Sequence, residues 1–201
     1  MSGTRPVEDP PVEHDLGGPR RARTGERGPR PVGELALPAA VWALSRLALV
    51  LSLTIPTELR GTGDVGRYRA VADAILRDAS VALWEYPVGA LGVVLPPAVT
   101  GTSFSTYLVA FVALAVALDF LALLGILTSG EPGGWNVRGG WLWVLGVPAL
   151  GVLSLTRLDV AACALTALGV AALHRRGPGA RVGVLLTAGA LVKVWPGVVL
   201  A

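Results

Sequence analysis

Cysteine occurs once in the 201 residues, at Cys163; histidine occurs twice, at His14 and His174, and lysine once, at Lys193. A lone thiol excludes an intramolecular disulfide and a thiolate metal cluster, and it leaves the redox compartment unread. Two histidines exclude a histidine-rich metal centre. Charge is also scarce. Only 15% of residues are charged, against roughly 25% in a soluble domain, while 53% are hydrophobic and the mean hydropathy is +0.62. That balance excludes an ordinary water-soluble fold and points to an integral membrane protein. Sixteen arginines beside the one lysine, with abundant Ala, Gly and Val, fit GC-rich bacterial coding.

The charges are unevenly placed. Residues 1–34 hold twelve and residues 58–85 hold nine of the 31, leaving ten for the rest of the chain. Residues 1–34 also carry six Pro and six Gly among balanced charges and few large apolar residues, a composition that cannot bury enough surface to fold. They read as a disordered cytoplasmic tail. No cleavable signal peptide fits, because the apolar stretch starts late, runs long and lacks a small-residue cleavage pattern. Residues 35–201 then form one transmembrane domain. Its first span is 35–56, long enough to cross roughly 30 Å of hydrocarbon. Arg20, Arg21, Arg23, Arg27 and Arg30 precede it, so the positive-inside rule keeps the N-terminus in the cytoplasm.

The first external loop is 57–86. Within it Val65, Tyr68, Ala72, Ile75 and Ala79 recur at helical spacing, which predicts an amphipathic helix on the outer membrane surface. Segment 87–99 is uncharged but too short to span and is divided by Pro87, Pro96 and Pro97, so it reads as interfacial or re-entrant. Full spans fit 104–127, 141–155, 160–173 and 182–201, with Glu131 and Arg138 in a Gly-rich loop and His174, Arg175, Arg176 and Arg181 in a basic one. The fold class is therefore all-α and polytopic, with five spans and one short segment that does not cross. That parity puts the Arg138 and Arg175/Arg176 loops in the cytoplasm, as the positive-inside rule asks. The last run stops in mid-span at Ala201, so the sequence reads as the N-terminal part of something longer.

Several residues could carry chemistry. Asp64, directly after the first span, suits a general base toward an acceptor hydroxyl and equally suits a helix N-cap. Arg60, Arg67, Arg69 and Arg77 could grip a lipid phosphate, or they could form a solvated face balanced by Glu58, Asp64, Asp73, Asp78 and Glu85. Trp84 and Tyr86, before Pro87, fit an interfacial belt more readily than a sugar pocket. Arg157 and Asp159 form either a site pair or a boundary ion pair. Lys193 beside Trp195 is an ammonium at membrane depth, where an ionisable group is a functional candidate by default; snorkelling to the interface is the other reading. Arg46 and Asp119 fall inside spans at similar depth and suit a structural pair with each other.

Two stretches, Asp64-Val-Gly-Arg-Tyr68 through Trp84-Glu-Tyr-Pro87 and Arg157-Leu-Asp159 through Leu191-Val-Lys-Val-Trp-Pro196, together resemble the GT-C superfamily of membrane glycosyltransferases. Their order and spacing are most like the family 87 polyprenol-phosphate-mannose-dependent mannosyltransferases. The resemblance covers roughly residues 36–201. It departs at Tyr86-Pro-Val88, where the family often has two consecutive Pro, and in length, the family having about twice as many residues. It implies a partial GT-C-like helical bundle in the bacterial plasma membrane, moving a sugar, in such enzymes mannose, from a polyprenyl-phosphate donor to a cell-envelope glycolipid or glycan with inversion. Asp64 would be the base. Arg60, Arg67, Tyr68, Tyr86, Arg157, Asp159, Lys193 and Trp195 would bind substrate, with Arg67 or Lys193 meeting the phosphate charge. Membrane lipid would be a partner and nucleic acid would not. The activated lipid donor would remove the need for a metal or other cofactor. A transporter, a lipid-handling subunit and a non-catalytic scaffold are the competing readings.

Overall fold

The computed structural model describes residues 33–54, 63–77, 85–101, 103–130 and 134–194. Residues 1–32 of the tail expected over 1–34, Arg60, Trp84 and Trp195 lie outside them, and the last two residues of that tail, Gly33 and Glu34, are not irregular but open a helix. The described residues are all helix and connection, and two of the helices are long and apolar enough to cross a membrane by length and composition. These are α1, Gly33–Ser52, and α4, Phe104–Thr128; at 1.5 Å per residue they reach about 30 and 37 Å. Between them come α2, Gly63–Leu76, a 3-10 turn at Val88–Ala90 and α3, Leu91–Ala98. After them come α5, Val137–Ala149, α6, Leu153–Thr156, α7, Asp159–Arg176, and α8, Ala180–Val192.

Contacts along the helices fix their directions. Arg46 of α1 meets Asp119 of α4, while Leu53 at the end of α1 packs near Val112 and Ala115, so α1 and α4 are antiparallel. Tyr107 and Phe111 of α4 cluster with Leu158, Ala161 and Ala162 at the start of α7, and Arg175 Nε donates to the Thr128 carbonyl at 2.8 Å at the other end. Helices α4 and α7 are therefore parallel. Their approach depends on Gly125, where an added Cβ would stand 2.7 Å from the Ala167 carbonyl carbon. Helix α8 returns antiparallel to α7, with Leu186 over Gly169 and Lys193 beside Asp159. One end of the bundle thus gathers the end of α1, all of α2 and α3, the starts of α4 and α7, and the end of α8.

A buried ion pair joins three helices. Arg46 is 2% and Asp119 0% exposed. Arg46 donates from Nε to Asp119 Oδ2 at 2.7 Å and from Nη2 to Oδ1 at 3.2 Å. Trp42 Nε1 adds a bond to Oδ2 at 2.6 Å and Trp143 Nε1 one to Oδ1 at 2.9 Å. The remaining guanidinium donor, Nη1, reaches Ser45 Oγ at 3.0 Å and the Val144 carbonyl of α5 at 3.1 Å. A charge pair out of water is tolerable only when its remaining donors and acceptors are satisfied in this way.

The structure corrects four readings of the sequence. The apolar face of α2 does not lie on a lipid surface, because Val65, Tyr68 and Ala72 are buried against Tyr107 and Phe111 in the protein's own core. Residues 141–155 are not one helix: Pro148, which brings no N–H to the last turn of α5, and Gly151, at φ +59°, divide α5 from α6. Arg138 lies within the first turn of α5 rather than in a loop. Among the described residues of the run 182–201 the helix ends at Val192, and Lys193 is extended at φ −154°, ψ 135°, so its ammonium stands at a helix end.

The charge pair makes a sharp stability prediction. Asp119→Leu strands a buried guanidinium and is expected to lower stability by about 3–5 kcal/mol. Arg46→Met combined with Asp119→Leu removes both charges and should regain at least half of that loss. Thermal unfolding of the purified variants in one detergent checks both.

Candidate functional site

The site is made from helix ends. The 3.6-residue period that buries Val65 and Tyr68 puts Asp64 four residues before Tyr68, on the same side of α2. Tyr68, 1% exposed, is the pivot. Its hydroxyl lies 3.3 Å from the Tyr86 hydroxyl, its ring meets the Tyr86 ring edge-on with centroids 5.7 Å apart, and the Leu158 backbone faces it. Leu158 is itself buried in the same core. The turn it anchors presents Arg157 on one side and Asp159 on the other.

Two ion pairs hang on that turn. Arg157 Nε stands 3.2 Å from Asp64 Oδ2, with Asp64 38% exposed. Lys193 Nζ reaches both oxygens of Asp159 at 2.7 Å, with the lysine 32% exposed. Five of the residues singled out from sequence, Asp64, Tyr68, Tyr86, Arg157 and Asp159, therefore converge, and Lys193 joins them through Asp159. Arg67 turns elsewhere: its guanidinium is 3.6 Å from Glu85, and both side chains are exposed. Glu85 was legible only as part of a local charge balance, and its pairing across the loop had no sequence signal.

The chemical character of these groups follows from their surroundings. Burial, aided by the Tyr86 hydroxyl and the Asp64 carboxylate, pushes the Tyr68 phenol well above its ordinary value near 10. It stays neutral and serves as a hydrogen-bonding strut. Asp64 and Asp159 occupy the first turns of α2 and α7, where the unpaired amides and the helix dipole favour a negative charge. Among the described residues, no three His, Cys, Asp or Glu side chains converge as a metal site. Beside the site, an apolar groove of about 470 Å³ runs between the end of α1 and the start of α4, lined by Val50, Leu53, Leu108, Val112 and Val116.

Against family models, curated proteins and solved structures, the chain has no match.

The raised Tyr68 pKa has a defined pH signature. Because the folded state holds the phenolic proton more tightly than the unfolded chain, the stability linked to Tyr68 is intact below about pH 10 and declines above it. An ultraviolet titration of the phenols should show Tyr68→Phe leaving the part of the curve near pH 10 unchanged; loss of amplitude there would place Tyr68 among the ordinary tyrosines.

Proposed function

We propose that this chain belongs to a membrane-embedded glycosyltransferase that moves a sugar, in the first instance mannose, from a polyprenyl-phosphate donor to a cell-envelope glycolipid or glycan. The observation that carries this reading is the partly exposed Asp64 carboxylate held at one end of an apolar helical bundle, paired with Arg157, with a second cation, Lys193, held on the same turn by Asp159. A carboxylate and cations side by side are what displacement at a phosphate-linked anomeric carbon needs. Asp64 takes the proton of the acceptor hydroxyl as that oxygen attacks C1 from the face opposite the phosphate. The C1–O bond breaks with its electrons going to the polyprenyl phosphate, and the configuration at C1 inverts. The cations meet the charge that develops on the leaving phosphate. Tyr68 and Tyr86 hold α2 against the Arg157–Asp159 turn, and the neighbouring apolar groove suits an isoprenoid tail.

The layout in the bilayer belongs to the same proposal. Helices α1, α4, α5, α7 and α8 alternate in direction, and α2 and α3 stay at one end. Five crossings follow, with the N-terminus and the Arg175/Arg176 turn in the bacterial cytoplasm and the site on the outer face. Large apolar side chains exposed along α1, α4 and α5, among them Leu44, Val109 and Leu142, support contact with lipid.

Asp64→Asn is expected to reduce transfer from a polyprenyl-phosphate sugar by about 10²–10⁴-fold at unchanged protein level, assayed in membranes carrying the full-length protein. Transfer that survives at the parental rate removes Asp64 from the base role and leaves its pair with Arg157 as a structural staple. In a Cys163→Ala background, a membrane-impermeant maleimide added to intact cells should label Arg67→Cys and spare Arg176→Cys; labelling at position 176 overturns the layout.

A further inference from the structure

Arg157 occupies an oxygen of the Asp64 carboxylate that the base role calls for, and the two ion pairs of the site differ in geometry. Lys193 is gripped by both oxygens of Asp159 at 2.7 Å. Arg157 meets Asp64 from Nε to Oδ2 at 3.2 Å, a longer contact; both pairs are partly exposed, at 51% and 38% here against 32% and 44% for Lys193 and Asp159, and exposed pairs are weak. Their backbones differ as well. Asp64 sits in the first turn of α2, at the positive end of the helix dipole. Arg157 is an extended residue between helices, at φ −120°, ψ 154°, and is followed by the buried Leu158. Its long side chain can therefore swing about a fixed backbone, whereas the carboxylate has no need to follow.

We propose that Arg157 is an exchange residue: in the unliganded protein its guanidinium neutralises Asp64, and on binding it transfers to the phosphate of the lipid-linked donor, so that donor binding itself frees the base. A guanidinium fork matches phosphate oxygens in two-pronged geometry, and the donor's phosphodiester offers it two free oxygens sharing one negative charge. No bond is made or broken in the exchange. Asp64 is then a built-in competitor for its own substrate's phosphate, and Lys193, kept in place by Asp159, is the second cation that the phosphate meets. The identity of the ligand as a lipid phosphate rests on the transferase reading above, but the competition does not.

The test is a double-mutant cycle on binding, with farnesyl phosphate as probe and the full-length protein in detergent. Removing the competitor with Asp64→Asn should tighten Kd about fivefold or more. Arg157→Gln should weaken it at least tenfold, and in the double variant the gain from Asp64→Asn should vanish, because it acts through Arg157. Asp64→Ser, which keeps a side-chain oxygen for the helix start, replaces Asp64→Asn if that variant is poorly folded. An unchanged or weaker Kd on removing the carboxylate, or a gain that persists without Arg157, overturns the exchange. Inorganic phosphate and farnesol separate the two parts of the ligand, and inorganic phosphate binding as tightly as farnesyl phosphate would overturn the lipid assignment. If the binding pattern holds while no sugar is transferred by the unmodified protein, the exchange stands and the transferase reading falls.

Discussion

The Arg46–Asp119 pair is the contact on which the placement of α1 depends. That helix buries little of itself in the protein, only 11% of its apolar window, and its side chains are mostly Leu, Val and Ala, which can slide and rotate against neighbours of the same kind. A guanidinium and a carboxylate cannot. In a low-dielectric interior they must meet, and the meeting must satisfy their other hydrogen-bonding groups. Asp119 accepts from Arg46, Trp42 and Trp143, and that fixes both the depth and the rotation of α1 against α4 and α5. With rotation fixed, Leu37, Leu44, Leu47 and Leu51 face outward, and Leu53 is delivered to the end where the site lies.

That end is organised from beneath rather than from the surface. Tyr68, Tyr107, Phe111 and Leu158 form the buried platform, and the Tyr107 hydroxyl donates to the Val94 carbonyl at 3.0 Å, tying α3 to α4. The charged groups above it need only moderate strength, since the apolar platform already positions the backbones from which they project. This division lets the Asp64 carboxylate be held by a partly exposed pair while the backbone that carries it is fixed from below. The rigidity comes from apolar packing and the adaptability from exposed charge.

What the sequence disclosed, and what it hid, divides along the same line. Helix α2 was readable from the period of Val65, Tyr68 and Ala72, and α4 from a long uncharged run, because local pattern alone specifies them. The depth of Arg46 and Asp119 in their spans was enough to match them. Trp42 and Trp143 were invisible as partners, since a tryptophan in an apolar run looks like any other large side chain. The break after α5 was hidden because Pro148 and Gly151 lie in an apolar stretch that reads as continuous. The stop of α8 before Lys193 was missed for the same reason. At the site, the residues were recognisable but their pairings were not: Asp64 meets Arg157, and Arg67 meets Glu85, only once distant segments have packed.

The parallel packing of α4 and α7 has a consequence for how the protein is made. Two parallel helices cannot be joined by a tight turn, so α5 must be synthesised as a return before α7 can be laid against α4. Until residues 159–176 emerge, the Gly125 surface of α4 has no partner and stands as a shallow notch. The platform beneath the site waits for Leu158, and Arg157 arrives with it. Asp64 therefore gains its final position and its counter-charge together, and the site is assembled from its last-made half.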